Sequence, residues 1–241
     1  MVDRLVHATR ELGIALHLKT AVEKIEKNSA QFTVHAFVDG APRTFQADLV
    51  VHGAGRVPEI DDLDLEAAGV KREKHGVTVN EFLQSVSNPT VYAAGDAAAK
   101  GPPLTPVAGM EGEIVAANLL KGNHRTPELA AVASIAYTLP SVASVGLLEA
   151  AAKEKGLKFR VNHQDTSEWY STRRLGAKYS AFKVLVEDRT EQILGAHLIG
   201  PHAEEQINLF TLAIRSGIRS SDIEATLFAY PTGASDLSYM V

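Results

Sequence analysis

The amino-acid sequence predicts an α/β part followed by an α+β domain in which an antiparallel sheet carries helices on one side. The first observation is the stretch 90–96, which is typical of a buried strand that ends in alanine, glycine and a carboxylate. A helix that begins with Thr105-Pro106 follows it, as in α/β units. The second observation is the segment 122–127, which is typical of a linker. Beyond it strands precede a long helix, the order expected of an α+β layer domain.

The elements of the first part are predicted from apolar spacing and turn residues. Apolar residues recur at helical spacing over residues 4–15, which predicts a helix. Two strands are predicted around Asp39-Gly40, because this dipeptide between alternating apolar and polar residues favours a hairpin. The nearly continuous apolar run 48–52 predicts a short strand, and residues 76–80 predict another.

The Gly53-Ala54-Gly55 sequence begins like a dinucleotide-binding fingerprint but does not complete one. That fingerprint needs a third small residue and a helix that starts at once. Here Val57-Pro58 follows, and the helical region predicted near 63–68 is short and late. We therefore expect these glycines to let the backbone cross between two substructures, and we reject an independent Rossmann dehydrogenase.

A helix is predicted from about Pro106 to Leu120, with two different faces. One face carries the larger apolar residues Val107, Met110, Ile114 and Ala117, and the other carries Gly109, Gly112 and Ala116. Because a glycine inside a helix costs about 1 kcal/mol relative to alanine, the small face indicates close approach of a flat group or another backbone. Ordinary contact between helices explains it equally well.

The second half predicts the antiparallel sheet and its covering helix. A helix over 203–216 places Ile207, Phe210 and Ile214 on one face, and Gly217 is a common C-terminal cap. The predicted extended segments are 135–145, 159–166, 179–187 and 193–199, and a short helix is predicted over 147–155.

Composition excludes several classes of function. The net charge of −5 and the lack of a dense Lys/Arg segment argue against a nucleic-acid surface. No run of 18 apolar residues is present, so we expect no membrane partner. The N-terminus lacks the apolar core of a signal peptide, and we expect a cytoplasmic protein.

The chain contains no cysteine, which excludes disulfides, thiolate metal sites and a cysteine nucleophile on this polypeptide. The closest histidine pair, His197 and His202, is separated by a glycine and a proline and shares no helical face. We therefore expect no metal site.

Asp96 and the helix start at Thr105-Pro106 form a candidate ligand site. Ligands of open α/β sheets bind at the carboxyl ends of strands, where helices begin. A carboxylate there accepts hydrogen bonds from sugar or ribityl hydroxyls, and the helix start offers free N–H groups to an anionic or electron-rich ligand. A purely structural role, in which Asp96 only caps the turn after the strand, explains the same residues equally well.

Four segments in order resemble the C-terminal half of the class I pyridine nucleotide-disulfide oxidoreductases, the family of glutathione reductase, dihydrolipoamide dehydrogenase and mercuric reductase. Residues 49–58 are similar to the apolar strand and Gly-Arg-x-Pro crossing of that family, and 91–96 to its second flavin motif. Residues 104–108 are similar to the segment after that motif, and 193–203 to the hallmark of the C-terminal dimerisation domain.

The resemblance implies cofactors and roles. Asp96 would hold a ribityl hydroxyl of FAD, and the amides near Thr105 to Val107 would face the pyrimidine edge of the flavin. The helix dipole would favour the negative charge of reduced flavin. The implied reaction is hydride transfer from NAD(P)H to FAD, then electron transfer to a substrate. The implied cofactor-binding residues are Gly55, Arg56, Gly95, Asp96, Leu104, Thr105, Pro106 and Val107.

The resemblance also implies a domain organisation. Residues 1–47 are similar to the tail of the NAD(P)H-binding domain, 48–123 to the C-terminal part of the FAD-binding domain, and 128–241 to the dimerisation domain, which implies a homodimer. The glycine fingerprints and Cys-x4-Cys pair of the family are absent. We therefore expect the C-terminal portion of a longer flavoprotein, inactive by itself and binding FAD weakly or not at all. A non-catalytic homodimerisation module is the alternative.

The C-terminus departs from the family pattern. Disulfide reductases of the family carry His-Pro-Thr with a glutamate five residues after the histidine, and the histidine acts as acid and base. Here Tyr230 takes the place of that histidine and Ser235 that of the glutamate, with Asp236 one residue further on. A tyrosine pKa near 10 suits proton transfer at neutral pH poorly. Tyr230 is thus a candidate catalytic residue, and a purely structural Tyr-Pro-Thr turn is the simpler interpretation.

Overall fold

A computed structural model describes all residues from 1 to 241, and the chain forms two compact units. The first unit comprises residues 1–52 and 131–241, and the second comprises 53–130. Each unit has its own buried apolar cluster.

The amino-terminal part of the first unit is a helix followed by a three-stranded antiparallel sheet. Helix α1 covers Val2–Glu11, and strands β1, β2 and β3 cover Thr20–Lys27, Phe32–Val38 and Ala41–Ala47, in the order β1-β2-β3. The predicted hairpin is confirmed, because Asp39 and Gly40 both adopt the positive φ of a tight two-residue turn. Strand β1 was not predicted, since its largely exposed and charged sequence forms a strand only by pairing with β2.

The second unit has little regular structure before its helix. Strands β4 (Arg72–Glu73) and β5 (Gly76–Val77) form a short hairpin, and 3-10 turns cover Asp61–Leu63 and Gly95–Ala97. Helix α2 covers Thr105–Lys121, as predicted within one residue at each end. The buried cluster consists of Ile60, Val70 and Val77.

Two apolar runs predicted as strands are irregular, which corrects the prediction. In residues 48–52 no neighbouring strand pairs with the run, and Leu49 and Val51 are 74% and 82% exposed. Residues 90–94 make a single bridge, between Tyr92 and Gln84, and none of them is buried: Thr90 is exposed and 91–94 are half-buried. A run of apolar residues forms a strand only where a neighbour satisfies its backbone N–H and C=O groups.

Two other predictions in this part are too long. The helical region expected near 63–68 consists of the 3-10 turn Asp61–Leu63 and a following turn. The strand expected over 76–80 is only the two-residue β5. Asp64 takes a positive φ directly after the 3-10 turn and ends it there.

The carboxyl-terminal part of the first unit is a five-stranded antiparallel sheet of order β6-β7-β10-β9-β8. Its strands are β6 Ser134–Ala136, β7 Val142–Gly146, β8 Phe159–Asp165, β9 Ala181–Glu187 and β10 Ile193–Ile199. The extended segment predicted over 135–145 is divided into β6 and β7 around Pro140, which has no N–H to donate to a ladder.

Helix α5 (Ala203–Ser216) packs on β7 and β10 and forms the main core. Phe182, Ile207 and Phe210 are fully buried there, and Gly217 ends the helix with a positive φ, as predicted. Shorter helices cover α3 Glu149–Glu154, α4 Tyr170–Arg173 and α6 Ser220–Glu224, and a 3-10 helix covers Ala234–Tyr239. The predicted fold class, α/β elements followed by an antiparallel α+β domain, is confirmed.

Candidate functional site

A concave surface in the second unit gathers four of the predicted site residues. Arg56, Asp96, Leu104 and Thr105 line it, and His75, Lys100 and Pro103 are among the other residues of its wall. Its volume of about 900 Å³ lies within the range of small-molecule sites. The sequence prediction that a carboxylate and a helix start lie close together therefore holds in this unit.

Asp96 is held in the 3-10 turn Gly95–Ala97. Gly95 adopts a φ of 60°, and a Cβ on it would approach the Cβ of Ala108 to 2.8 Å, so the turn lies directly against α2. The N–H of Ala98 closes the turn on the carbonyl of Gly95 at 2.9 Å. Because a backbone group closes the turn, the Asp96 carboxylate is not needed as its cap and stays exposed at the concave surface.

The first turn of α2 supplies unpaired amide donors. The first ladder bond runs from the N–H of Ala108 to the carbonyl of Leu104 at 2.9 Å, and no backbone carbonyl accepts from the N–H of Thr105 or Val107. Pro106 has no N–H and suits the start of a helix. Unpaired amides and the positive end of the helix dipole attract an anionic or electron-rich group.

The remaining predicted residues support the site without lining it. Gly55 takes a φ of 88°, which a residue with a side chain rarely adopts, in the irregular segment that carries Arg56. Val107 is buried and anchors the first turn of α2 in the interior, and Pro106 is absent from the wall of the concave surface.

Sequence reasoning missed a buried polar stripe on α2. The helix buries Val107, Glu111, Ile114 and Asn118, rather than the predicted face with Met110 and Ala117. The signal was present, because positions 107, 111, 114 and 118 follow the i, i+4, i+7, i+11 spacing of one helix face. Because two of these four positions are polar, the pattern of apolar residues alone does not reveal the buried stripe.

Asn118 uses its buried amide to fold the chain after α2. Its Oδ1 accepts from the backbone N–H groups of His124 and Arg125 at 3.1 and 2.9 Å. Its Nδ2 donates to the carbonyls of Phe82 and Arg125 at 3.1 and 2.8 Å. The segment predicted as a linker is therefore tied to the helix at its first residues.

Glu111 is fully buried and has only one hydrogen bond. Its Oε2 accepts from the backbone N–H of Gly95 at 2.7 Å, and Oε1 has no partner on the chain. Burial raises the pKa of this carboxyl, and the Gly95 hydrogen bond and the charge of Lys100 oppose that rise.

Tyr230, the candidate at the position of the family histidine, lies in the first unit and is 74% exposed. Its ring stacks on that of Tyr170, with centroids 6.1 Å apart and planes inclined by 25°. The following turn is closed locally, since the Ser235 hydroxyl donates to the carbonyl of Thr232 at 2.6 Å. Ser235 therefore serves the turn and makes no hydrogen bond to Tyr230.

Asp236 makes a separate contact. Its Oδ2 accepts from the hydroxyl of Ser171, the residue after Tyr170, at 2.5 Å. Burial raises the pKa of Asp236, and this hydrogen bond and the nearby His202 oppose the rise. The two residues 170 and 171 thus contact both ends of the stretch 230–236.

No group of three or more histidine or acidic side chains is arranged to hold a metal ion. None of the helices combines the length and the hydropathy that a membrane span requires.

Family comparisons cover nearly all of the chain. Residues 1–112 match the pyridine nucleotide-disulphide oxidoreductase family, and residues 132–241 match the dimerisation domain of that family. Known structures agree in fold. LpdA from Mycobacterium tuberculosis superposes with a TM-score of 0.84 at 22% identity, covering 97% of this chain and 50% of that one. The HOCl-induced flavoprotein disulfide reductase RclA from Escherichia coli gives 0.82 at 22% identity, covering 99% and 54%.

Curated relatives include both short and long proteins. An uncharacterized 19.7 kDa protein in a mercuric resistance operon of Staphylococcus aureus is 49% identical over 180 residues, which are 74% of this chain and 100% of that protein. A mercuric reductase of Staphylococcus aureus is 34% identical, covering 94% of this chain and 41% of the reductase. Dihydrolipoyl dehydrogenase 1 of Arabidopsis thaliana is 34% identical, covering 89% and 42%. The chain spans about two fifths of the length of these enzymes.

Proposed function

Because this chain belongs to the class I pyridine nucleotide-disulfide oxidoreductase family, we propose that it is the C-terminal part of a flavoprotein oxidoreductase and supplies flavin contacts and a dimer interface. Members of the family use FAD and NAD(P)H. In the proposed reaction a hydride passes from NAD(P)H to FAD, and electrons then pass to a substrate. The observation that carries the proposal is the concave surface shared by Asp96, Arg56 and the start of α2.

The residues of this surface fit the flavin end of FAD. The exposed Asp96 carboxylate can accept a hydrogen bond from a ribityl hydroxyl, since the turn does not use it. The N–H group of Thr105, which lines the surface, can donate to an oxygen or nitrogen atom of the pyrimidine edge. The dipole of α2 would favour negative charge on the reduced ring, worth about 0.3–1 kcal/mol at an exposed helix start.

FAD titration tests the flavin site. We expect weak, saturable quenching of flavin fluorescence by the purified chain, and about tenfold weaker binding by Asp96→Ala, which loses a hydrogen bond to a charged group. Asp62→Ala, an exposed acidic residue outside the concave surface, is the matched control. Equal binding by the wild type and Asp96→Ala would contradict the role of Asp96, and stoichiometric flavin on the purified chain would contradict the assignment to a C-terminal part only.

We further propose that the electron acceptor is the mercuric ion rather than a disulfide. Two observations support it: relatives at 34% and 49% identity are a mercuric reductase and a protein of a mercuric resistance operon, and Tyr230 stands where disulfide reductases have the histidine. The balanced reaction is NAD(P)H plus Hg(II) giving NAD(P)+, a proton and Hg(0).

The choice of electron acceptor is tested on the protein purified from its natural host. NADPH oxidation is compared with an Hg(II)–thiol complex, oxidised glutathione or lipoamide as acceptor. We expect oxidation with Hg(II) and little with either disulfide. Faster turnover with a disulfide would contradict this assignment. A further comparison of Tyr230→Phe with the wild type separates a role of the hydroxyl from the structural turn.

A non-catalytic homodimerisation module remains the second candidate. It is favoured by the main core, which lies between Ala143 and Met240, within the match to the family's dimerisation domain. Both candidates predict a dimer by light scattering. They differ in flavin binding, because the module alone requires no difference between the wild type and Asp96→Ala.

A further inference from the structure

The buried carboxyl of Glu111 has no place in the flavin contacts described above, although it lies directly behind them. Its single hydrogen bond comes from the N–H of Gly95, the residue before Asp96. We propose that Glu111 is a positioning residue, which holds the Gly95 turn against α2 and so sets the place of Asp96 beside the helix start. An effect of Glu111 on FAD binding rests on the proposed function, whereas its role in holding the Gly95 turn does not.

Glu111 lies between the two segments that build the concave surface. On one side it binds the Gly95 turn, through Oε2. On the other side a Cβ on Gly101 would approach Oε1 to 2.7 Å, so the loop that leads to Leu104 passes directly over the carboxyl. Asp96 belongs to the first segment, and Leu104 and Thr105 follow the second. A change in Glu111 therefore acts on both walls.

The packing of the fold does not account for a carboxylate at this position. A buried charged group is costly unless it is paired, and Glu111 forms no ion pair and leaves Oε1 without a partner. An apolar side chain of the same length would fill the space without this cost. What the carboxyl adds is an acceptor for the Gly95 N–H, for which no backbone carbonyl serves.

The first experiment compares Glu111→Gln with Glu111→Met in the full chain without flavin. Glutamine keeps an acceptor for Gly95, and methionine keeps the length and helix preference but removes it. We expect amide exchange at Gly95 to be about tenfold faster in Glu111→Met, the effect of one lost hydrogen bond, and close to wild type in Glu111→Gln. Glu113→Gln, exposed on the same helix, is the control.

Unchanged exchange at Gly95 in Glu111→Met, or equal acceleration in both variants, would overturn the proposal. Should Glu111→Met fail to fold, Gly101→Ala is the second variant, because its Cβ displaces Oε1 and leaves the carboxyl present. It is expected to accelerate exchange at Gly95 as well, whereas wild-type exchange would count against the positioning role.

The second experiment is FAD titration of the same variants. We expect about tenfold weaker binding by Glu111→Met, and wild-type affinity in Glu111→Gln, as rescue by the conservative change requires. Equal affinity of Glu111→Met and wild type would overturn the role toward the flavin. Failure of every variant and the wild type to bind FAD would instead concern the proposed flavin site and not Glu111, and exchange at Gly95 then decides the positioning role by itself.

Discussion

The glycines of the second unit differ in how much space surrounds a Cβ atom added to them. Gly95 has a positive φ and faces Ala108, while Gly109 lies inside α2 with no atom within 4 Å of a would-be Cβ. Gly112 is equally open. The sequence predicts that the small-residue face of α2 admits a flat group or another backbone, or that it packs on a helix, and within the second unit no atom approaches Gly109 or Gly112 in any of these ways.

Gly95→Ala and Gly109→Ala should therefore change stability in opposite directions. The first forces a strained backbone against Ala108 and should lower the free energy of unfolding of the second unit by about 1–3 kcal/mol. The second removes a helix-interior glycine and should raise it by about 0.5–1 kcal/mol. Native-state amide exchange along α2 measures both. Destabilisation by Gly109→Ala would show that this face is occupied in solution.

Glu149 should make stability depend on acid pH. Hydrogen bonds from Lys153 and Lys183, at 2.7 and 2.8 Å, and the charges of both lysines lower the pKa of Glu149 from its ordinary value near 4.5 to about 2. A lowered folded-state pKa stabilises the protein above the unfolded-state value and loses this effect as pH falls through the folded-state value.

The urea midpoint of Glu149→Gln should thus lie below that of the wild type at neutral pH, and the two should converge between pH 4.5 and about 2. Because 31% of the Glu149 side chain remains exposed, added salt should also narrow the difference in urea midpoint. Glu154→Gln, on the same helix and outside any ion pair, should show no such convergence. A difference that is constant with pH would exclude the ionic cause.

At the scale of elements, strands form where a neighbouring strand can pair with them. Strands β9 and β10 pair with each other along the chain, and their buried side chains pack under α5. Residues 48–52 contain three consecutive apolar residues but have no partner strand; the segment stays irregular, and Leu49 and Val51 are exposed. Apolar content therefore decides which residues can be buried, and pairing decides which form a strand.

Helix α5 offers a direct test of this core. Phe210→Ala should lower the free energy of unfolding of the first unit by about 3–5 kcal/mol, because the ring is fully buried. Leu212→Ala, 55% exposed on the same helix, should change it by less than about 0.5 kcal/mol. Fluorescence of Trp169, the one tryptophan of the chain, reports unfolding beside Phe182 in this unit. Similar losses of unfolding free energy in Phe210→Ala and Leu212→Ala would contradict a core centred on Phe210.

At the scale of the whole molecule, buried apolar residues are distributed unevenly. The main cluster consists of 15 buried residues from Ala143 to Met240 in the sequence, and the cluster of the second unit consists of three buried residues. Leu49 and Val51 are exposed apolar side chains, and Val50 between them is half-buried.

We expect residues 1–123 to exchange their amide protons faster than residues 128–241, because local stability follows buried apolar contacts. Hydrogen exchange with mass spectrometry measures this on the full chain. Equal protection of the two regions would contradict the expectation.

The sequence by itself determined the elements whose signals are local: the Asp39-Gly40 hairpin, α2 with Pro106 near its start, and α5 with its cap at Gly217. It also placed Asp96 and Thr105 at one site, since a strand-like end and a helix start lie only a few residues apart. Turn residues, caps and helical spacing act over a few residues, so they can be recognised without the fold.

Only the tertiary structure decided that residues 48–52 and 90–94 are irregular rather than strands. It also decided that Glu111 and Asn118 are buried. Strand formation depends on hydrogen bonds to partners that are remote in sequence, and these runs lack a ladder. A polar side chain is buried only where specific backbone groups meet it, as the Gly95 N–H meets Glu111 across 16 residues. That encounter depends on how the turn and the helix pack, which no local pattern records.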